Sequence, residues 1–261
     1  MQIEFHKYQG TGNDFVMIDN REGVYGTPTT ERNRFLCDRK FGVGADGLIL
    51  LQNHPEYDFE MVYFNSDGKE SSMCGNGGRC IMAFAHALGM VSNSARFLAI
   101  DGPHDATIEN GVVALKMGDV AAIERIGEDF WLDTGSPHYV RVVPSTSDTD
   151  IVAVGQSIRY NERFTAEGTN VNAMQRVGDN AIAVRTYERG VEDETLSCGT
   201  GVTAAAICAQ LLGWASPDQA CAVETPGGQL AIEARPTASG GFDAIWLKGP
   251  ATYVYKGSID V

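Results

Sequence analysis

Residues 74–89 read CGNGGRCIMAFAHALG, and residues 198–213 read CGTGVTAAAICAQLLG. Each stretch opens Cys-Gly-x-Gly, continues with small and apolar residues at helical spacing, and stops at Leu-Gly. Cys74 and Cys198 lie 124 residues apart, and so do Leu88-Gly89 and Leu212-Gly213. The register carries outward. Ile108-Glu109 matches Ile232-Glu233 at the same offset, and the Thr11-Gly12-Asn13 turn resembles Asp133–His138 at 123. A period this long describes two like-folded halves from a tandem duplication, not a solenoid. The halves are taken as 1–118 and 119–254. Each has many short strands and one prominent helix, apolar nearly all round, which is the mark of a buried helix. The simplest arrangement wraps each half's strands around its own helix.

Bulk properties narrow the function. The chain has 261 residues and 43% hydrophobic content, enough for one large domain or two ordinary ones. Its net charge of −14 argues against a nucleic-acid backbone or an anionic membrane as partner, since both call for basic surface. No apolar run approaches the roughly 20 residues of a membrane span. The opening MQIEFHKYQG has no apolar signal core, so a cytoplasmic setting is expected. Six cysteines are then expected to be mostly reduced, and they form no CxxC pair. With five scattered histidines, no metal site is expected.

Along the chain, Ile3 and Phe5 alternate with polar residues and 15–18 is apolar, which predicts two strands about the Gly10–Asp14 turn. Thr29-Thr30 can cap a helix to about Lys40 with Phe35 and Leu36 inward. The glycine-rich 42–47 loop lacks the Gly-Lys-Ser/Thr ending of a phosphate loop. Strands are expected at 48–51, 58–64, 97–100, 106–117 (broken at the Asn110-Gly111 hairpin signal), 130–132, 139–143 and 181–187. Ile151, Val154 and Ile158, at i, i+3 and i+7, predict a helix.

The chemistry rests on the two cysteines at helix starts. Four backbone N–H groups there lack intrahelical partners, and the dipole leaves the end partly positive. A thiol in that place is pushed below its usual pKa of roughly 8.5, and the same N–H groups can hold a carboxylate. The glycines let a ligand approach the backbone closely. If the two helix starts share one site, a carboxylate between them has a sulfur on each side of its α-carbon. One thiolate then removes the α-proton and the opposite thiol returns a proton, which inverts the carbon. A lone cysteine at a helix start is more often a small buried hydrophobe. Two at matched positions of a duplication point to chemistry, with a redox disulfide as the other sharp reading. Cys80 and Cys208 sit inside the helices as core; Cys37 and Cys221 carry no signal.

A longer set of motifs runs in order along the chain: Gly12-Asn13-Asp14-Phe15, the 42–47 loop, Phe64-Asn65-Ser66-Asp67-Gly68, Met73-Cys74-Gly75-Asn76-Gly77, Gly135-Ser136-Pro137-His138, 168–172, Tyr187-Glu188-Arg189-Gly190 and Ser197–Gly201. In these the chain resembles the diaminopimelate epimerases. That resemblance implies an α+β fold of two pseudo-symmetric domains, each a strand-rich barrel around a central helix, with the active site in the cleft between them. It implies that 255–261 returns to the first domain. It implies an isomerase of lysine and cell-wall precursor biosynthesis that needs no cofactor and forms a homodimer. The catalytic pair would be Cys74 and Cys198. Gly75, Asn76, Gly199 and Thr200 would hold the reacting carboxylate, and Asn13, Asn65, Asn170, Glu188 and Arg189 would contact diaminopimelate. Arg189 can fork to the distal carboxylate and Glu188 can accept from the ammonium. His138 would lie near the reacting centre. Two departures stand at substrate-contact positions: Gly47, where the family often has Gln, and Ser136, where it often has Asn. A proline-racemase-type enzyme is the nearest rival, but it commonly has His where Asn76 stands. A non-catalytic thiol redox or binding protein is the rival of another class.

Overall fold

The structure is a computed structural model that describes residues 2–261. It divides into two compact units, residues 2–115 with Gly249–Val261, and Lys116–Lys248. In the first, β1 (Gln2–Gly10), β2 (Asn13–Asp19), α1 (Thr30–Cys37), β3 (Gly47–Gln52), β4 (Phe59–Asn65), α2 (Gly75–Ala87), β5 (Ser94–Ala99), β6 (Gly102–Glu109) and β7 (Val112–Lys116) follow in order. Neighbouring strands pair antiparallel, except β2 with β3 and β4 with β5, which are parallel.

The second unit holds β8 (Ile123–Ile126), β9 (Asp129–Asp133), β10 (Pro137–Val142), α3 (Ile151–Arg159), β11 (Asn170–Gly178), β12 (Ala181–Glu188), β13 (Asp193–Thr195), α4 (Gly199–Leu211), β14 (Cys221–Thr225), β15 (Gly228–Pro236) and β16 (Phe242–Pro250). Here β10 and β11, and β12 and β14, are the parallel pairs, and the rest are antiparallel. The succession of pairings from β1 to β7 therefore repeats from β9 to β16, with a helix inserted at the same two crossovers. The duplication read from the Cys-Gly-x-Gly stretches is a duplication of topology. Last, β17 (Thr252–Asp260) runs back along β1, from Gln2 opposite Asp260 to Gln9 opposite Thr252. The returning segment thus begins at Gly249, ahead of the 255 expected from the resemblance.

Each unit is built on its buried helix. Gly75 through Ala85 of α2 are all buried, and in α4 so are Gly199 and Gly201 through Ala209. Alanine and glycine at 204–206, 209, 75, 77 and 78 keep these helices thin, so strands close in on every side. Both end alike. Gly89 and Gly213 take φ of 69°. The N–H groups of Gly89 and Met90 bond back to His86 and Ala85, as those of Gly213 and Trp214 do to Gln210 and Ala209. This is the left-handed cap that Leu-Gly announces. The Asn110-Gly111 hairpin has φ of 51° and 79°, as a two-residue turn with both centres left-handed requires. The first helix ends at Cys37, short of Lys40, because the Asp38 carboxylate accepts from the N–H groups of Lys40 and Phe41 and turns the chain. Among the described residues no helix is long and apolar enough to cross a membrane.

Candidate active site

In the first unit Cys74 is the N-cap of α2, and its sulfur accepts from the Gly77 N–H at 3.2 Å. The Asn13 Oδ1 lies 4.0 Å from the same sulfur. That amide cannot face the other way, because its Nδ2 donates to the Asp46 carboxylate at 2.6 Å. Asn76 is held just as firmly. Arg79, which can only donate, gives its Nη2 to the Asn76 Oδ1 at 2.9 Å, so the Asn76 Nδ2 faces the Asn13 Oδ1 at 3.4 Å. Asn13 and Asn76 are thereby brought to Cys74 with their polarity set by a carboxylate at one end and a guanidinium at the other. Asn65 stands exposed at the end of β4, directly opposite Gly47.

Gly47 has a steric reason. A Cβ there would lie 2.5 Å from the Tyr63 Cε2 and 2.8 Å from the Phe64 carbonyl oxygen. The Tyr63 ring fills the space a side chain at 47 would need, edge-on to Phe15 with centroids 6.0 Å apart. Gly47→Ala should therefore lower stability by about 1–3 kcal/mol through overpacking, read as a fall in the urea midpoint.

In the second unit Cys198, Thr200, His138 and Asn170 follow one another along a chain of polar contacts, with Asn170 Nδ2 3.5 Å from His138 Nε2. The Cys198 sulfur meets the Thr200 hydroxyl at 3.4 Å, and that hydroxyl meets His138 Nε2 at 2.8 Å. Asn170 Nδ2 donates to the Ser136 hydroxyl at 2.9 Å and the Pro137 carbonyl at 3.1 Å, and its Oδ1 accepts the Arg189 N–H at 2.8 Å. The Glu188 carboxylate accepts the Thr195 hydroxyl at 2.9 Å, and the Arg189 guanidinium donates to the Glu167 carbonyl at 2.9 Å. Ser136, the shorter residue at its position, thus serves as an acceptor for Asn170.

Asn172, quoted in a motif but given no role there, is the pivot of this chain. It is fully buried. Its Nδ2 must face the Tyr139 carbonyl, 3.2 Å away, because a carbonyl only accepts; the same nitrogen lies 3.0 Å from His138 Nδ1. Nδ1 is then the acceptor and Nε2 carries the proton. Nε2–H donates to Thr200, whose own hydroxyl proton is left to point at the Cys198 sulfur. Alternation of polar residues on β11 could have flagged Asn172; its partners on other strands could not be read. Gly201 is explained by the same residue, since a Cβ there would lie 2.4 Å from the Asn172 Oδ1.

His138 is neutral. Burial, and secondarily the Arg189 charge, lower its pKa to about 3. Folding is linked to this proton. Between about 6.5 and 3 the unfolded chain takes up a proton that the folded one refuses, so stability falls as pH falls through that window. The cost approaches about 1.4 kcal/mol for each pH unit. Urea midpoints measured from pH 7 to pH 4 should drop more steeply for the wild type than for His138→Gln.

The other four cysteines contrast with Cys74 and Cys198. Cys37, Cys80, Cys208 and Cys221 are buried, whereas the helix-start pair is partly exposed. Burial raises Cys37 and Cys80 to about 12 and Cys221 to about 11, and pushes Cys208 up as well, so none is a nucleophile or base near neutrality.

Known proteins share both sequence and fold with this chain. The family model described as diaminopimelate epimerase matches residues 5–123 and 130–254. The diaminopimelate epimerase of Flavobacterium psychrophilum is 46% identical over 258 residues, covering 98% of this chain and 100% of that one. The Aquifex aeolicus diaminopimelate epimerase is 39% identical over 276 residues, covering 98% of each. Among solved structures, a Bacillus anthracis phenazine biosynthesis protein of the PhzF family superposes with a TM-score of 0.76 at 13% identity, covering 100% of both chains. A hydroxyproline epimerase from Agrobacterium vitis does so with a TM-score of 0.70 at 13% identity, covering 99% of this chain and 92% of that one. At those identities the two structures speak for the fold alone: a strand-rich α+β fold in two duplicated units. On the sequence matches, which span nearly its whole length, the chain belongs to the diaminopimelate epimerase family.

Proposed function

We propose that the protein interconverts LL- and meso-diaminopimelate by proton exchange at one α-carbon, with Cys74 and Cys198 as the acid–base pair. One sulfur, as thiolate, takes the α-proton, and the C–H electron pair moves into the adjacent carboxylate. The other sulfur, as thiol, gives its proton to the opposite face of the carbon. The configuration inverts and the protonation of the pair is exchanged. The N–H groups of Gly75, Asn76, Gly199 and Thr200 stabilise the charge that develops on the carboxylate. Asn13, Asn65, Asn170, Glu188 and Arg189 hold the substrate, and His138 holds Thr200.

The observation that carries this reading is that two topologically equivalent units each start their buried helix with a partly exposed cysteine, while every other cysteine is sealed in the core. No cofactor enters the scheme. A cytoplasmic homodimer is the setting we propose, with Tyr253, Val254 and Tyr255 of β17 as exposed apolar surface for the second copy.

The test is incubation of the reduced protein with LL-diaminopimelate in D2O. Deuterium at one α-carbon together with formation of the meso isomer is the expected result. Exchange with proline or 4-hydroxyproline and none with diaminopimelate would transfer the protein to the proline racemase type, and inertness toward all three would leave the thiol redox reading.

A further inference from the structure

Arg79 is the largest fully buried side chain of the protein, with none of its surface exposed. Its guanidinium donates to the Asn76 Oδ1 at 2.9 Å, the Thr11 hydroxyl at 3.1 Å, the Gly75 carbonyl at 3.2 Å and the Pro250 carbonyl at 3.4 Å. All four acceptors are neutral, and among the described residues no carboxylate pairs with it. A buried charge without a counter-charge is costly. This one is also placed in the first turns of α2, where the helix dipole disfavours a cation. An anion at the start of α2 would repay both. The thiols that act on Arg79 are Cys80 and Cys74. Cys80, buried and raised to about 12, is neutral near neutrality. Cys74 is left.

The duplication supplies an internal control. At the offset of 124 the counterpart of Arg79 is Thr203. Both side chains bond the carbonyl four residues back: Arg79 that of Gly75 at 3.2 Å, and Thr203 that of Gly199 at 2.9 Å. The local hydrogen bond is retained in both units; the charge is present in one. We propose that Arg79 is the positioning residue that makes the two matched thiols unequal, so that in the ligand-free protein Cys74 is the thiolate and Cys198 the thiol. The proposal rests on the two-thiol reading above.

Charged groups of the first unit around the start of α2 have partners of their own. Near Cys74, Asp46 is paired with Arg39 at 2.7 Å, and Asp14 with Lys7 at 2.8 Å and Arg39 at 2.7 Å. Asp101 accepts the Met73 N–H and has His104 at 3.4 Å. Asp46 and Asp14 carry cationic partners, whereas Arg79 carries no anionic one among the described residues. Near Cys198 stand neutral His138 and, farther along the chain of hydrogen bonds, Arg189, exposed beside Glu188. The Thr200 hydroxyl favours a thiolate at Cys198, but it does so as a neutral donor. The Gly77 N–H does the same for Cys74. A whole buried charge exceeds either.

The test is the pH dependence of iodoacetamide alkylation at each cysteine, followed peptide by peptide by mass spectrometry on the ligand-free protein. In the wild type the Cys74 midpoint is expected at least one pH unit below that of Cys198. Arg79→Gln should raise the Cys74 midpoint by one unit or more and leave Cys198 in place, while Arg79→Lys, which keeps the charge, should restore most of the difference. A purely structural Arg79 would move neither midpoint in a folded variant. Coincident midpoints in the wild type, or an unshifted Cys74 in folded Arg79→Gln, overturn the proposal. If Arg79→Gln does not fold, coincident midpoints in the wild type, or no difference retained in Arg79→Lys, still overturn it. Alkylation does not depend on turnover, so this outcome is separate from that of the D2O exchange.

Discussion

Cys198→Ser and Cys74→Ser should each lower the rate of diaminopimelate epimerisation by about 10³-fold or more, while Cys208→Ser should leave it within a few-fold. The size follows from the acid–base role. A positioned proton-transfer group contributes roughly 10²–10⁴-fold, and a serine hydroxyl is far too weak an acid to serve as a thiolate does. The fold should survive, because both sulfurs are partly exposed and their contacts, the Gly77 N–H and the Thr200 hydroxyl, suit an oxygen as well. Cys208 behaves in the opposite way. It sits at 0% exposure inside α4, so a hydroxyl there costs stability and not chemistry. The check is initial rates from both isomers, with thermal midpoints for each variant. A Cys74 or Cys198 variant that keeps a near-native rate would end the two-thiol mechanism.

Asn172→Leu is expected to be the most damaging substitution outside the pair. Leucine is close in size, so the loss is one of hydrogen bonds and not of volume. His138 Nδ1, the Tyr139 carbonyl and the Thr186 hydroxyl all lose a buried partner. Each orphaned group costs about 1–3 kcal/mol, which puts the total near 3 kcal/mol or above. Activity should fall further than stability explains, since the imidazole loses the bond that sets its tautomer and Thr200 loses a fixed donor. Urea unfolding gives the first quantity, and the epimerisation rate under conditions where the variant is fully folded gives the second. Asn172→Asp restores shape but not the donor toward two acceptors, and should not rescue either.

What was legible in the sequence and what was not divide along a physical line. The buried helices, their cysteine starts and their Leu-Gly ends could be read because caps and periodicity are local. The duplicated α+β fold could be read because the same local signals recur at one offset. Strand β11 could not. Its run Asn170–Gly178 carries Asn170 and Asn172 where an inward-facing strand would show apolar residues, and they are inward because each has partners on β10. Gly47 looked like a missing contact; it is a glycine because Tyr63, sixteen residues on in sequence and one strand over in space, occupies its side-chain volume.

By itself the sequence determined that two like units exist and that each offers a thiol at a helix start, since these follow from spacing and from the chemistry of chain ends. Only the tertiary structure decided how the thiols differ. The Asn13 amide is turned by Asp46, Asn76 is turned by Arg79, and the His138 proton is placed by Asn172. Most of these partners lie tens of residues apart, and an amide or an imidazole has no polarity of its own to write into the sequence. The first turns of α2 and α4 look alike as strings. Folded, one carries a buried guanidinium against neutral oxygens and the other a threonine, and burial is what makes that single charge count.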